Sequence, residues 1–93
     1  MVSMIRKIKK FKLSSGSNIL HLPKGAEVCH TGYHQNKISV WFKLDPDAPV
    51  RQTIFYVAKT DEKFNSVKYQ YLSSCLNGTQ DRIWHILKKV DRK

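Results

Sequence analysis

Acidic residues are scarce in this chain of 93 residues. Seven Asp and Glu stand against 17 Lys and Arg, which gives a formal net charge of +10 and a pI near 9.9. A field of this size attracts phosphates, nucleotides, nucleic acids or acidic protein surfaces without selecting among them. The basic residues concentrate at the two ends of the chain, and the middle is nearly balanced in charge.

Cysteine is also scarce, and long apolar runs are absent. Cys29 and Cys75 lie far apart, each in an apolar strand-like run, and no Cys-x-x-Cys or Cys/His pair has zinc spacing. This pattern favours two buried free thiols over a disulfide. No apolar segment follows the basic N-terminus as in a signal peptide, and no run is long enough to span a bilayer. We therefore expect a cytoplasmic protein with no membrane contact.

The sequence offers no motif for catalysis or metal binding. Four histidines are present, but His30 and His34 are four residues apart across a predicted turn, whereas zinc ligands at that spacing line a helix face. No Ser-His-Asp or Cys-His arrangement follows from spacing. The aspartates of residues 45–49 fit a turn, and Asp61-Glu62 fits a solvated loop. We predict no catalytic residue, metal or cofactor, although nucleotide hydrolysis stays open.

The length allows one small domain, and the hydrophobic content of 41% is that of a folded chain. We divide residues 1–93 into a basic N-terminal strand (4–13), a core (18–88) and a frayed basic tail (89–93). A domain of this size is marginal in stability unless it packs well or shares surface with another copy. A homo-oligomer is therefore expected.

Two turn motifs bracket the most regular part of the chain, residues 22–59. The first is Leu22-Pro23-Lys24-Gly25-Ala26 and the second is Asp45-Pro46-Asp47-Ala48-Pro49. Proline removes backbone donors, and glycine permits the positive φ of a tight turn. Between the turns, Ile38, Val40, Phe42 and Leu44 alternate with Ser39, Trp41 and Lys43, which predicts a strand with Trp41 facing outward.

The remaining segments also predict strands. Residues 51–59 are apolar on both faces, which indicates a central strand covered on two sides. Residues 4–13 and 18–22 flank a Ser-Gly turn cluster and are expected to pair as a hairpin. Asn77-Gly78 predicts a type I′ turn before residues 82–90, which fit a strand better than a short helix. The fold class is all-β and mostly antiparallel, a small sandwich or partly open barrel of about six to seven short strands.

The order of these features resembles a family of small, uncharacterised bacteriophage proteins. The likeness covers roughly residues 5 to 88 and rests on the two turn motifs, the aromatic strand around Val40-Trp41, a strand at residues 51–57 and the closing Ile83-Trp84-His85-Ile86. The sequence departs from the family pattern at Thr60-Asp61, where a Thr-Gly step is usual, and in its more basic ends. The resemblance implies a phage or prophage source and a β-rich domain, and it carries over no functional residues.

Basic and aromatic residues provide the best candidates for a site. Cations neutralise phosphates, and flat rings stack on bases, although the same rings also fit a core or a subunit contact. The candidate ligand-binding residues are Lys24, Tyr33, Trp41, Arg51, Tyr56, Arg82 and Trp84.

The function that these residues predict is non-enzymatic. We expect a phage protein that sequesters a phosphate-bearing nucleotide signal of host antiviral defence in the cytoplasm of the infected bacterium. One alternative is a nucleic-acid-binding accessory protein that uses Arg6, Lys7, Lys9, Lys10 and Lys12. Another is an inhibitor that docks on an acidic host protein.

Overall fold

The computed structural model describes residues 5–34, 37–76 and 83–90, and all of its regular structure is β. The strands pair antiparallel in two sheets that do not close into a barrel, which confirms the predicted all-β class. The three-stranded sheet has the order β1-β4-β3, and the four-stranded sheet has the order β2-β5-β7-β6. The strands are β1 (Lys7–Leu13), β2 (Gly16–Pro23), β3 (Glu27–His34), β4 (Lys37–Leu44), β5 (Val50–Lys59), β6 (Tyr69–Leu76) and β7 (Ile83–Lys89).

The predicted hairpin between residues 4–13 and 18–22 is wrong. β1 pairs with β4, and β2 pairs with β5 in the other sheet. The chain turns the corner at Gly16, whose φ is 90°, and Asn18 ties the corner by bonding both the N–H and the carbonyl of Ser14 at 2.8 Å. Because both strands carry buried leucines, placing them on opposing sheets puts Leu13 and Leu22 in a shared core.

The core lies between the two sheets and follows the period-two pattern of β4. Ile38, Val40, Phe42 and Leu44 are buried, and Trp41 faces the other way, as predicted. The ring of Phe42 packs against Phe55 of the opposite sheet, with centroids 5.4 Å apart. Burying such rings provides most of the stabilisation in a domain of this size.

β5 is a central strand of its sheet, as predicted, but the prediction that both faces are covered is wrong for its first half, where Val50 and Gln52 of the outer face are exposed. The strand lies between β2 and β7, with Phe55 and Val57 in the core. Ala58 is also buried, but on the outer face of the sheet, where Leu87 of β7 is buried as well. A small cavity lies over this outer face. It is lined by Ala58 and Leu87 together with Glu62 and Phe64 of the loop at residues 60–68.

The two turn motifs form as predicted and are joined to each other. Gly25 has a φ of 85°, and the N–H of Ala26 donates to the carbonyl of Pro23. In the second turn, the carboxylate of Asp45 accepts from the N–H of Asp47 at 3.0 Å. The N–H of Lys24 donates to the carbonyl of Pro49 at 2.8 Å, so the ends of both turns are fixed to one another.

The C-terminal part is a strand pair. β7 confirms the strand for residues 83–89, and it pairs antiparallel with β6. The predicted turn at Asn77-Gly78 lies outside the described residues, as does most of the predicted frayed tail. Within the described residues, no helix has the length and apolar character that crossing a membrane needs.

Both cysteines are free thiols, as predicted, but only one is buried. Burial raises the pKa of the Cys75 thiol in the core, which keeps it protonated and unreactive. The prediction that Cys29 is buried is wrong. The register of β3 shifts between Val28 and His30, so Cys29 is the extra residue of a bulge and lies outside the inward alternation.

Glu62 is more than part of a solvated loop. It is exposed, but its carboxylate accepts a hydrogen bond from the Tyr56 hydroxyl and another from the N–H of Lys59. The bond from Tyr56 is the main cause that lowers the pKa of Glu62, and the same bond raises the pKa of Tyr56. Since the pKa of Glu62 is lowered by folding, its contribution to stability is present above the ordinary glutamate pKa and is lost as the pH falls through the lowered value.

Replacing Tyr56 with phenylalanine is expected to raise the pKa of Glu62 toward its ordinary value, because the main hydrogen bond to the carboxylate is removed. An NMR titration of the glutamate side-chain carboxyl measures the change. Tyr69→Phe is the matched control, since its ring lies 6.0 Å from that of Tyr56 and has no bond to Glu62. An unchanged pKa in Tyr56→Phe would show that this bond does not form in solution.

Candidate anion-binding cleft between the sheets

A cavity of about 520 Å³ opens between the two sheets at the end of the sandwich that carries the first turn motif. The inner faces of β5, β6 and β7 form one wall, and the turn at residues 23–26 with the start of β3 forms the other. The cavity volume is that of a small-molecule site. The residues that matter for its chemistry are Lys24, Glu27, Phe42, Arg51, Thr53, Phe55, Gln70 and Lys88.

Strand register brings two of the cations onto one wall. Arg51, Thr53 and Phe55 share the inner face of β5, because alternate residues of a strand point the same way. Lys88 of β7 pairs in register with Phe55. Gln70 of β6 in turn pairs with Lys88. This wall therefore carries two cations and two neutral hydrogen-bonding side chains around an aromatic ring.

The third cation, Lys24, comes from the first turn motif. Its backbone N–H is held by the carbonyl of Pro49, which immediately precedes β5. Leu22, which precedes Lys24 by two residues, pairs with Arg51. The two turns therefore fix Lys24 at the same end of the sandwich as Arg51.

The charges of these cations are uncompensated within the described residues. The side chains of Lys24, Arg51 and Lys88 have no hydrogen bond or ion pair with another described residue. The ion pair of the described chain joins Lys43 to Glu27, with Nζ and Oε2 3.5 Å apart. Glu27 lines the cavity too, so the cavity has three cations and one carboxylate that is already engaged.

The floor of the cleft is apolar. Phe42 and Phe55, which are each 1% exposed, form it from the two sheets. A cavity with an aromatic floor and a cationic lining suits a ligand with one flat or apolar part and one anionic part.

Bulges occur in both edge strands that border the cleft. The register of β3 shifts next to Cys29, and that of β6 shifts between Tyr71 and Ser73. Beside the cleft, Thr31 of β3 donates to the carbonyl of Ser74 of β6 at 2.8 Å and shares a 3.0 Å bond with the Ser73 hydroxyl. The two edges are joined there by side-chain bonds instead of a backbone ladder, and this leaves the cleft open beside them.

Of the residues predicted from sequence, the structure brings Lys24 and Arg51 together in the cleft. Trp41 lies on the outer face of the three-stranded sheet, and Tyr56 lies on the outer face of the four-stranded sheet, bonded to Glu62. These two rings face away from the cleft and from each other.

The other three predicted residues have different placements. Tyr33 is half-buried and packs against the core, and it pairs with Ile38. Trp84 is a core side chain, 9% exposed, whose position leaves no face for stacking on a ligand. Arg82 lies outside the described residues.

Sequence reasoning missed Lys88, Thr53 and Gln70. In the sequence analysis, Lys88 stands at the end of the core and is named in no site. Trp84, Ile86 and Lys88 share one face of β7 by alternation, and since Trp84 and Ile86 are buried, Lys88 points inward with them. Thr53 lies between Arg51 and Phe55 on the inner face of β5. The period-two pattern of both strands therefore contained the signal.

Two of the histidines are engaged in hydrogen bonds. His85 bonds Thr60 and Tyr71 through its two ring nitrogens at 2.9 Å each, and His34 accepts from Lys10. No group of three His, Cys, Asp or Glu side chains within the described residues has the geometry to hold a metal ion.

The fold and the cleft define a small two-sheet β-sandwich protein with a cation-lined cavity between its sheets. The chain belongs to the family described as Domain of unknown function (DUF7352), whose model matches residues 4–93. No curated protein and no solved structure matches the chain.

Proposed function

We propose that the protein is a non-enzymatic binding module for a phosphate-bearing small molecule of nucleotide type, which it holds in the cleft between the sheets. The observation that carries the proposal is the meeting of Lys24, Arg51 and Lys88 around one cavity, where none of the three has an ion-pair partner among the described residues. Fixed cations whose charges are not satisfied inside the protein favour an anionic ligand.

The types of the lining side chains suit an anion with several oxygens, such as a phosphate chain, better than a simple halide. The guanidinium of Arg51 presents a planar fork that binds two phosphate oxygens at once, whereas Lys24 and Lys88 act as compact point charges. Thr53 and Gln70 supply neutral donors beside them. Together these groups match the several oxygens of a phosphate chain.

The floor supports the nucleotide part of the proposal. Phe42 and Phe55 give the inner end of the cleft an apolar base, and at 1% exposure each they offer contact to the edge of a ligand ring and not a face for stacking. The cavity of about 520 Å³ lies inside the range of pockets that enclose small-molecule ligands. A ligand with both a ring and phosphates uses both parts of the cleft.

The biological role proposed for this binding is sequestration of a nucleotide signal used by host antiviral defence. It follows from the resemblance to phage proteins together with a binding site for a small anion. Cys29 and His30 also line the cavity, but no hydrogen bond joins them within the described residues. The proposal therefore assigns them no catalytic step.

Titration calorimetry against cyclic nucleotides, ADP-ribose-type nucleotides and inorganic phosphate tests the proposal. We expect heat with at least one nucleotide, weaker heat with inorganic phosphate, and loss of affinity as salt increases. The absence of heat with every ligand would refute the proposal. Chromatography of the same mixtures follows the fate of the ligand, and a hydrolysis product would replace the binding role with an enzymatic one.

A further inference from the structure

The outer face of the three-stranded sheet is a second basic surface, which meets the lining of the cleft at Glu27 and His30. Strand register places a lysine, a tryptophan and a histidine side by side on this face. Trp41 of β4 lies between Lys10 of β1 and His30 of β3. We call this surface the basic face. It contains Lys10, Lys12, His30, His34, Lys37, Trp41 and Lys43.

Trp41 is the centre of the basic face. The Nζ of Lys10 lies 5.5 Å from the centroid of its ring and donates to His34 Nδ1 at 2.9 Å. The ring of His30 is 5.2 Å from that of Trp41 on the other side. The indole lies beside Gly32, where a Cβ would stand 3.6 Å from it, an ordinary van der Waals contact. The ring is half-buried by these neighbours and still partly exposed to solvent.

The charge of this surface is strongly positive. Four lysines lie on it, and its one carboxylate among the described residues, Glu27, pairs with Lys43. From Lys37 to Lys43, β4 extends for about 20 Å at the rise per residue of a strand. The lysines are therefore spread along a length that can follow several phosphates of a chain.

The basic face and the cleft are on opposite sides of the same sheet. Trp41 and Phe42 are neighbours in β4, and their side chains point in opposite directions. Phe42 forms the floor of the cleft, and Trp41 belongs to the basic face. Glu27 and His30 border both surfaces, whereas Lys10, Lys12 and Trp41 do not line the cleft.

We propose that the basic face binds single-stranded nucleic acid, with Trp41 stacking on a base and the lysines neutralising the adjacent phosphates. A partly exposed ring between cations is the arrangement by which single strands are bound without sequence preference. A duplex keeps its bases stacked internally and offers the ring no base face, so the single strand is the form that uses Trp41.

Tryptophan fluorescence reports this binding directly. The chain has two tryptophans, and Trp84 is buried in the core, so quenching by a short oligothymidylate of about twelve nucleotides comes from Trp41. We expect quenching at low salt, and a fall in affinity of about tenfold or more in Trp41→Ala when binding is followed by anisotropy of a labelled strand. Trp41→Phe keeps a stacking ring and is expected to retain most of the affinity.

The salt dependence provides a second readout that does not require a change at Trp41. Lys12 is exposed and has no described partner, so Lys12→Gln leaves the fold intact and is expected to reduce the slope of log affinity against log salt by about 0.7. Lys63→Gln is the matched control, because Lys63 is an exposed lysine of the loop at residues 60–68 and is not on the basic face. Its slope is expected to equal that of the wild type.

Three results would overturn the proposal. The first is an affinity of Trp41→Ala for the oligothymidylate equal to that of the wild type, when circular dichroism shows that the variant is folded. The second is equal binding of polyglutamate, which would show that the surface responds to charge alone. The third is loss of oligothymidylate binding in Arg51→Ala but not in Lys12→Gln, which would locate the strand in the cleft.

Discussion

Phe42→Ala is expected to reduce the free energy of unfolding by about 3–5 kcal/mol. The side chain is 1% exposed and lies between the two sheets, where it contacts the rings of Phe11 and Phe55 at 5.6 and 5.4 Å between centroids. Removing the ring leaves a cavity at the point where both sheets meet. Because total stability is only about 5–15 kcal/mol for typical domains, this single change removes a large fraction of it.

Chemical denaturation followed by the fluorescence of buried Trp84 measures this effect. Phe42→Leu serves where the alanine variant is largely unfolded, and it is expected to lose a smaller part of the stability. Phe64→Ala is the matched control: its ring is 45% exposed in the loop at residues 60–68, and its removal is expected to cost less than the core change. Equal losses in Phe42→Ala and Phe64→Ala would contradict the two-sheet core.

Replacing Arg51 and Lys88 together with alanine is expected to lower the affinity for the nucleotide that the cleft binds by about a hundredfold or more. Both side chains line one wall of the cleft, and each would supply a charge-assisted hydrogen bond to phosphate. Neither has a partner among the described residues, so removing them breaks no hydrogen bond or ion pair of that part of the chain. The unfolding midpoint of the double variant is therefore expected to stay close to that of the wild type.

Single changes separate charge from geometry. Arg51→Lys keeps the charge but loses the planar fork, so an intermediate affinity is expected. Lys63→Ala removes an exposed cation that does not line the cleft and is expected to leave affinity unchanged. Wild-type affinity in the double variant would contradict the assignment of the phosphate to this wall, even if calorimetry detects nucleotide binding.

Most of the strands could be predicted because the local pattern determines them. The alternation in β4 identified Ile38, Val40, Phe42 and Leu44 as one inward face, and the structure buries all four. The prolines and glycine of the two turn motifs marked where strands end, since those residues restrict the backbone locally. The seven-strand all-β architecture follows from these local signals.

Strand partners could not be predicted in the same way. The Ser-Gly cluster between residues 13 and 18 signals a change of direction, but both a hairpin and a corner between sheets use such a turn. The choice depends on what β1 and β2 pack against, namely β4 and β5, which are distant in sequence. The bulge that exposes Cys29 likewise depends on its pairing with β4 and has no local signature.

The candidate cleft was predictable in part. Their residue type identifies Lys24 and Arg51 as candidates, and they come together because the turn motifs next to them meet in space. Trp41 and Tyr56 were grouped with them by residue type, although the two rings belong to different sheets and outer faces. Type alone cannot separate surfaces on opposite sides of a sheet.

Mapping amide chemical shifts during titration with a bound nucleotide tests the central claim most directly. The account predicts that the largest shifts occur in residues 22–28, 51–55, 70–73 and at Lys88, which surround the cleft. Residues of the basic face, such as Lys12 and Lys37, are expected to shift little. Shifts confined to the basic face, or no shifts with any nucleotide, would contradict the proposed cleft.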